Sequence, residues 1–108
     1  MPSNIVTGGY QSRPPATLYV CRAAYRGGVH PGKVFHGACN FSWGGDEIVV
    51  TSRYEVLTSQ HSLHWAAGSY GSVPPFAIEG GYQHDGPLYI CQARYRGGMH
   101  PGKLYKEA

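Results

Sequence analysis

From Leu18 to Tyr25 the chain reads in steps of two: Tyr19, Cys21, Ala23 and Tyr25 share one parity, and Leu18, Val20, Arg22 and Ala24 share the other. Successive side chains of an extended chain point to opposite faces, so the pattern predicts a β-strand with two unlike faces. Leu88 to Tyr95 repeats it. Tyr89, Cys91, Ala93 and Tyr95 are the same letters, whereas the other parity has drifted to Leu88, Ile90, Gln92 and Arg94. The face without drift is expected to pack and the drifting face to stay half-solvated, which makes each copy a strand of an antiparallel sheet covered on one side. The alternation of EIVVTSRYEVL, Glu47 to Leu57, predicts one long strand, and ACNFSW, ending at Trp43, predicts another. No apolar spacing of helical period occurs, and sixteen glycines, eight prolines and nine tyrosines fit short strands joined by tight turns. The fold class expected is all-β, with antiparallel sheets built from a pseudo-two-fold internal repeat.

The repeat is longer than the strand. Leu18–Lys33 and Leu88–Lys103 differ only at Val20/Ile90, Arg22/Gln92, Ala24/Arg94 and Val29/Met99. Gly27-Gly28 and Gly97-Gly98 are hairpin signals, since glycine reaches positive φ without steric cost. His30-Pro31-Gly32-Lys33 and His100-Pro101-Gly102-Lys103 carry Pro then Gly at two central turn positions, which predicts a type II turn with a lysine just beyond it at a sheet rim. Upstream, IVTGGY (Ile5 to Tyr10) matches AIEGGY (Ala77 to Tyr82), and QSRPPAT and QHDGP read as surface loops. Residues 58–64 read as loop, and Pro74-Pro75 excludes a central strand before the second copy. One domain is expected over 1–108, with repeat one at 5–76 and a partial repeat two at 77–108. The first copy has follow-on strands and the second has none, so one sheet edge should lack its partner. A second chain could supply it, which predicts a homodimer or higher homo-oligomer.

Charge narrows the function classes. A formal net charge of +3 without a basic run gives little support for nucleic acid or an acidic membrane surface. No signal peptide or apolar span is visible, so the expected location is cytoplasmic, or outside the cell by a route the sequence does not show. Cys21 and Cys91 hold the same repeat position and Cys39 stands alone, and the three are read as buried free thiols. The histidines lack ligand spacing apart from a weak His61/His64 pair, so no metal or other cofactor is expected. Six acidic residues, with no serine elbow and no dyad, argue against an enzyme.

With GGY, LYVCRA, YRGGVHPGK, WGGDE and YEVL in this order, and GSVPPFAIEGGY opening the next unit, the sequence resembles the DM-nine repeat family from about Ile5 to Lys103. That family includes natterin-like lectins that bind mannose. The resemblance implies compact antiparallel β structure from two pseudo-symmetric repeats, each with a sugar site, and a setting such as innate immune recognition. It implies as ligands an acidic residue just after the GG-aromatic element and the lysine of PGK. The lysines are Lys33 and Lys103. The acidic position holds Gln11 in one copy and Gln83 in the other. A carboxylate accepts from two adjacent hydroxyls, whereas a glutamine amide offers one acceptor and two donors and engages a diol more weakly. Asp85 stands two residues beyond Gln83, where the first copy has Arg13.

Each candidate also has an ordinary structural reading. Lys33 and Lys103 could be solvated rim lysines, but a Pro-Gly turn does not demand a lysine after it, and two copies hold one. His30 and His100 either orient the turn or contact ligand. Tyr10 and Tyr82 either offer a ring face to a sugar or pack with the hydroxyl at the rim. Trp43 and Trp65 are assigned to the core, and Glu47 is an edge charge or a polar wall of the site. The expected ligand is a mannose-type glycan. The rival is a structural or protein-interaction module with no sugar ligand.

Overall fold

The computed structural model describes residues 4–105. Its nine strands are β1 (Thr7–Ser12), β2 (Pro15–Tyr25), β3 (Gly28–Phe35), β4 (Ala38–Trp43), β5 (Asp46–Val50), β6 (Glu55–Val56), β7 (Glu79–Gln83), β8 (Gly86–Tyr95) and β9 (Gly98–Tyr105). All pairings are antiparallel. The chain is all-β, as its alternation predicts.

Four hairpins share one turn chemistry. Arg26-Gly27, His36-Gly37, Gly44-Gly45 and Arg96-Gly97 all have positive φ at both central residues. This is the type I′ turn, whose twist matches that of the flanking strands, and glycine holds the second place each time. The GG pairs at 27–28 and 97–98 therefore mark their hairpins one residue late: Arg26 and Gly27 turn, and Gly28 opens β3.

The strands close into a ring. β2 pairs with both β1 and β3, β3 continues to β7, β8 pairs with β7 and β9, and β9 returns to β1. The units β1–β3 and β7–β9 meet through reciprocal seams, Val29↔Tyr82 and Tyr10↔Met99. Glycine makes both seams possible. A Cβ on Gly9 would run into the Met99 carbonyl, and one on Gly81 into the Val29 carbonyl. The strands β4 and β5 extend from the far end of β3, and β6 pairs with β2 at Cys21 and Arg22.

The HPGK segments are not turns. β3 and β9 run unbroken through Pro31-Gly32 and Pro101-Gly102. From the closing pair Tyr25↔Gly28, alternation makes Arg22↔Pro31 a pair without mutual hydrogen bonds, so the Pro31 nitrogen points away from β2. There it falls between the stretches where β7 and β4 pair with β3, and the missing N–H costs no ladder bond. Gly32 serves close approach, since a Cβ there would strike the Asn40 carbonyl of β4.

Burial also departs from the one-sided expectation. The drifting parity contributes the most enclosed side chains, Leu18, Val20 and Leu88, each at most 1% exposed. The undrifting parity is buried only in the first copy, where Cys21 and Ala23 pack with Val34, Cys39 and Phe41. In the second copy Cys91 is half-buried and Ala93 and Tyr95 are exposed, because no strand corresponding to β4 lies over them among the described residues. EIVVTSRYEVL is interrupted at residues 51–54, with Arg53 at φ 61°, and forms β5 and β6 rather than one strand. The tryptophans are not core residues: Trp43 lies at a rim and Trp65 is exposed in the 57–78 connection. Cys21 and Cys39 form a disulfide between β2 and β4, Cα atoms 5.9 Å apart, and Cys91 is the free cysteine. The three-thiol expectation compared Cys21 with its repeat partner, whereas its bonding partner lies on the follow-on strand.

Candidate functional site

Along a strand, residues three apart face opposite ways, so His30 and Lys33 cannot share a face, nor can His100 and Lys103. The ring resolves this by exchange. Lys33 Nζ lies 3.0 Å from His100 Nδ1, and Lys103 Nζ lies 3.0 Å from His30 Nδ1. An ammonium only donates, so each Nδ1 accepts. The Tyr25 carbonyl acts on the ring of His30, and the Tyr95 carbonyl on that of His100, in the opposite sense to the lysines. With Nδ1 accepting from an ammonium, each imidazole is held neutral and carries its proton on Nε2.

Electrostatics agree with this tautomer. Burial pushes the pKa of His30 below its ordinary value and the Lys103 charge adds to the effect, against the Tyr25 carbonyl. His100 is lowered in the same way, by burial and then by Lys33. Burial also lowers the Lys103 ammonium.

The two sites share a frame but not a cover. His30 is 1% exposed and stacks on Phe41, ring centroids 5.2 Å apart at 10°. Lys103 Nζ lies 5.7 Å from the same Phe41 ring, and Tyr25 meets His30, Phe41 and Trp43 edge-on. Arg26 caps Trp43 at 4.7 Å. Around His100 the only ring contact among the described residues is Tyr95, at 5.7 Å, itself 56% exposed. The guanidinium of Arg96 lies 5.3 Å over that ring, and its Nε donates to Tyr95 Oη at 2.8 Å.

The glutamines border these sites without touching the lysines. A Cβ on Gly98 would come within 2.5 Å of the Tyr10 carbonyl and 3.3 Å of Gln11 Cα, and one on Gly28 would meet Tyr82 and Gln83 in the same way. Tyr10 and Gln11 therefore adjoin the His100 site, and Tyr82 and Gln83 the His30 site. Gln11 Nε2 donates to the Pro14 carbonyl, while Gln83 Nε2 donates to Asp85 Oδ1, so each amide uses one of its two N–H groups within its own hairpin. Each amide keeps its carbonyl oxygen as an acceptor. Asp85 also accepts from Tyr105 Oη at 2.8 Å, which holds its carboxyl below the usual range. The rings of Tyr10 and Tyr82 are about half exposed. Glu47 lies exposed on β5 opposite Ser42 and has no side-chain hydrogen bond to either site among the described residues.

Several participants were not read from the sequence. Arg26 and Arg96 stand in both copies as YRGG, and that identity was the available signal. Phe41 has no counterpart in the second copy, so no repeat argument could find it. A cavity of about 1230 Å³ lies elsewhere, between residues 57–78 and strands β8 and β9, and includes neither lysine. Among the described residues no group of three His, Cys, Asp or Glu could hold a metal ion, and no helix is long and apolar enough to cross a membrane.

Two pseudo-symmetric β units locked by exchanged lysine–histidine pairs define a small repeat-built β module. The DM9 repeat family model matches residues 13–108, and the chain belongs to that family. No curated protein matches the chain.

Proposed function

We propose that this chain is a non-catalytic, lectin-like module that binds mannose-type hexoses at two composite sites, one around Lys33 and His100 and one around Lys103 and His30. The observation that carries the reading is the exchanged pair, 3.0 Å in both copies, because it holds each lysine at a histidine whose site a glutamine and an aromatic ring adjoin. Each ammonium spends one N–H on histidine and keeps two for sugar hydroxyl oxygens. The glutamine carbonyl can accept from a neighbouring hydroxyl, and Tyr95, Trp43, Tyr10 and Tyr82 offer apolar faces at the rims. Membership of the DM9 repeat family supports the same reading. Innate immune recognition is the setting this function would fit. The Cys21–Cys39 disulfide favours an oxidising compartment, and hence export, over the cytosol.

The test is a titration of the wild type and of Lys33→Ala, Lys103→Ala and the double variant with mannose, using galactose as control. A hydrogen bond to a charged group contributes ~1.5–3 kcal/mol, so each single change should weaken its own site about tenfold or more and spare the other. Unaltered binding by the double variant, or no shift near either lysine at tens-of-millimolar mannose, defeats the proposal.

A protein-interaction role is the second reading, favoured by the exposed Ala93 and Tyr95, over which no strand corresponding to β4 lies among the described residues. Silence toward glycans together with a stoichiometric protein partner would select it.

A further inference from the structure

We propose that the open site built by Lys33, His100, Tyr95 and Arg96 takes a hexose carrying an anionic substituent, a phosphate, sulfate or carboxylate group. The proposal rests on the sugar-binding reading above and assigns a ligand class to one of its two sites.

Charge at this site is one-sided. Lys33 donates to a neutral imidazole, and Arg96 donates through Nε to a tyrosine hydroxyl. Neither has a carboxylate partner, since the ion pair found among the described residues is Arg22 with Glu55. A third cation is close by in the chain. Ser12 Oγ donates to the Arg96 carbonyl at 3.2 Å, which brings the tip of the β1–β2 hairpin against the Arg96 turn, and the next residue at that tip is Arg13. The residue after GGY is Gln11, so the site supplies no carboxylate of its own. Cations without counter-charge attract an anion, and guanidinium and ammonium groups form stronger hydrogen bonds to phosphate or carboxylate oxygens than to neutral hydroxyls.

The other site has the same lysine–histidine pair and an Arg26 Nε bond to Tyr25 Oη at 3.2 Å, and it differs in its hairpin tip and its cover. Its hairpin tip carries Asp85, which accepts from Gln83 and Tyr105. Arg26 is stacked on Trp43, and Phe41 covers His30. Two copies of one frame thus present unlike charge, and the anion preference belongs to the copy that has Arg13 and lacks a Phe41.

The experiment follows the amide and histidine signals of the full chain by NMR during titration with mannose, mannose 6-phosphate and inorganic phosphate. The phosphosugar should bind the Lys33 site about tenfold more tightly than mannose, with the advantage shrinking at high salt and absent at the Lys103 site. Arg96→Gln should remove most of the advantage and Arg96→Lys should keep much of it. Both retain a long side chain at the same turn, and a thermal melt checks the fold. Equal affinity for the two sugars at the Lys33 site overturns the proposal while leaving the sugar-binding reading intact. So does a preference located at the Lys103 site. Inorganic phosphate binding as tightly as the phosphosugar also overturns it, because the site would then hold a bare anion. No binding of either sugar defeats both readings together.

Discussion

Lys33 and His100, 67 residues apart in sequence, are held together at 3.0 Å, and Lys103 reaches His30 at the same distance. Each repeat therefore supplies the lysine for the other's histidine. The arrangement follows from strand parity, which keeps His and Lys of one HPGK segment on opposite faces, and from the ring, which brings β3 and β9 against each other. Folding and site assembly are one event here, because neither repeat contains a complete site.

Acid should loosen both pairs. His30 and His100 have pKa values below 6.5 in the folded chain, mainly through burial, and ordinary values when unfolded. Below pH 6.5 the unfolded state binds more protons. This contribution to stability is therefore complete above pH 6.5 and is lost as the pH falls through that value toward the folded pKa values. Protonation also ends the acceptor role of Nδ1 and sets two cations face to face. Melting temperatures measured from about pH 8 to about pH 5 should fall, and the double variant His30→Asn/His100→Asn should show a flatter profile. A wild-type profile as flat as the variant's would contradict the neutral assignment.

The seams should be intolerant of a single methyl. Gly81→Ala places a Cβ against the Val29 carbonyl, which belongs to backbone and cannot swing aside. Overpacking of this kind costs about 1–3 kcal/mol or more. Gly37→Ala meets nothing within 4 Å and carries only the strain of φ +71°, about 1 kcal/mol. Denaturant titration should rank Gly81→Ala as clearly less stable than Gly37→Ala, and the reverse order would remove the steric account of the seams.

Much of this fold was legible as local pattern, and much of the site was not. The alternation of Leu18–Tyr25 and its copy identified strands, and the YRGG segments located hairpins to within a residue. The HPGK segments misled because proline and glycine favour turns only when nothing else demands them. Here Pro31 occupies a position whose nitrogen has no ladder partner, and Gly32 lies under the Asn40 carbonyl. Which strand faces which across a seam depends on contacts distant in sequence, so a repeat read as two parallel copies concealed the exchange of Lys33 and Lys103. The same blind spot hid the bond between Cys21 and Cys39.

Covalent state can be read by mass. The oxidised chain should be two hydrogen atoms lighter than the reduced one, with Cys91 taking up a single alkylating group, slowly while folded because burial raises its thiol pKa. The bridge spans 18 residues, and closing a loop of this size stabilises by ~3 kcal/mol. Reduction should lower the melting temperature by several degrees. Native protein in which Cys21 and Cys39 alkylate freely would show that the bridge is absent.

Phe41 separates the sites. Its ring is 5% exposed, stacks on His30 and lies beneath Lys103. Removing a buried phenylalanine side chain costs about 3–5 kcal/mol. Phe41→Leu, which keeps an apolar cover without a stacking face, should be milder in stability yet should still raise the His30 pKa and leave that of His100 in place. Histidine NMR titrations of the wild type and Phe41→Leu check this, and an equal shift at both rings would mean that Phe41 acts on the whole fold rather than on one site.

Assembly is the last expectation, and it rests on the comparison of Cys21 with Cys91 and Ala23 with Ala93. Cys21 and Ala23 are 1% and 3% exposed because β4 lies over them, while Cys91 is half-buried and Ala93 is open. The edge of β3 from Lys33 to Phe35 pairs with β4, and among the described residues no strand corresponding to β4 follows β9 to cover Ala93. An exposed apolar strip on a sheet face is a surface on which a second copy can pack. Two copies meeting there would cover Ala93 and Leu104 in both and would place four sugar sites on one particle, raising avidity for multivalent glycans. Sedimentation equilibrium should show concentration-dependent dimerisation, and Ala93→Arg should shift it toward monomer with little change in the melt. A wild-type chain that remains monomeric at high micromolar concentration would remove this interface, and with it any gain in avidity from paired chains.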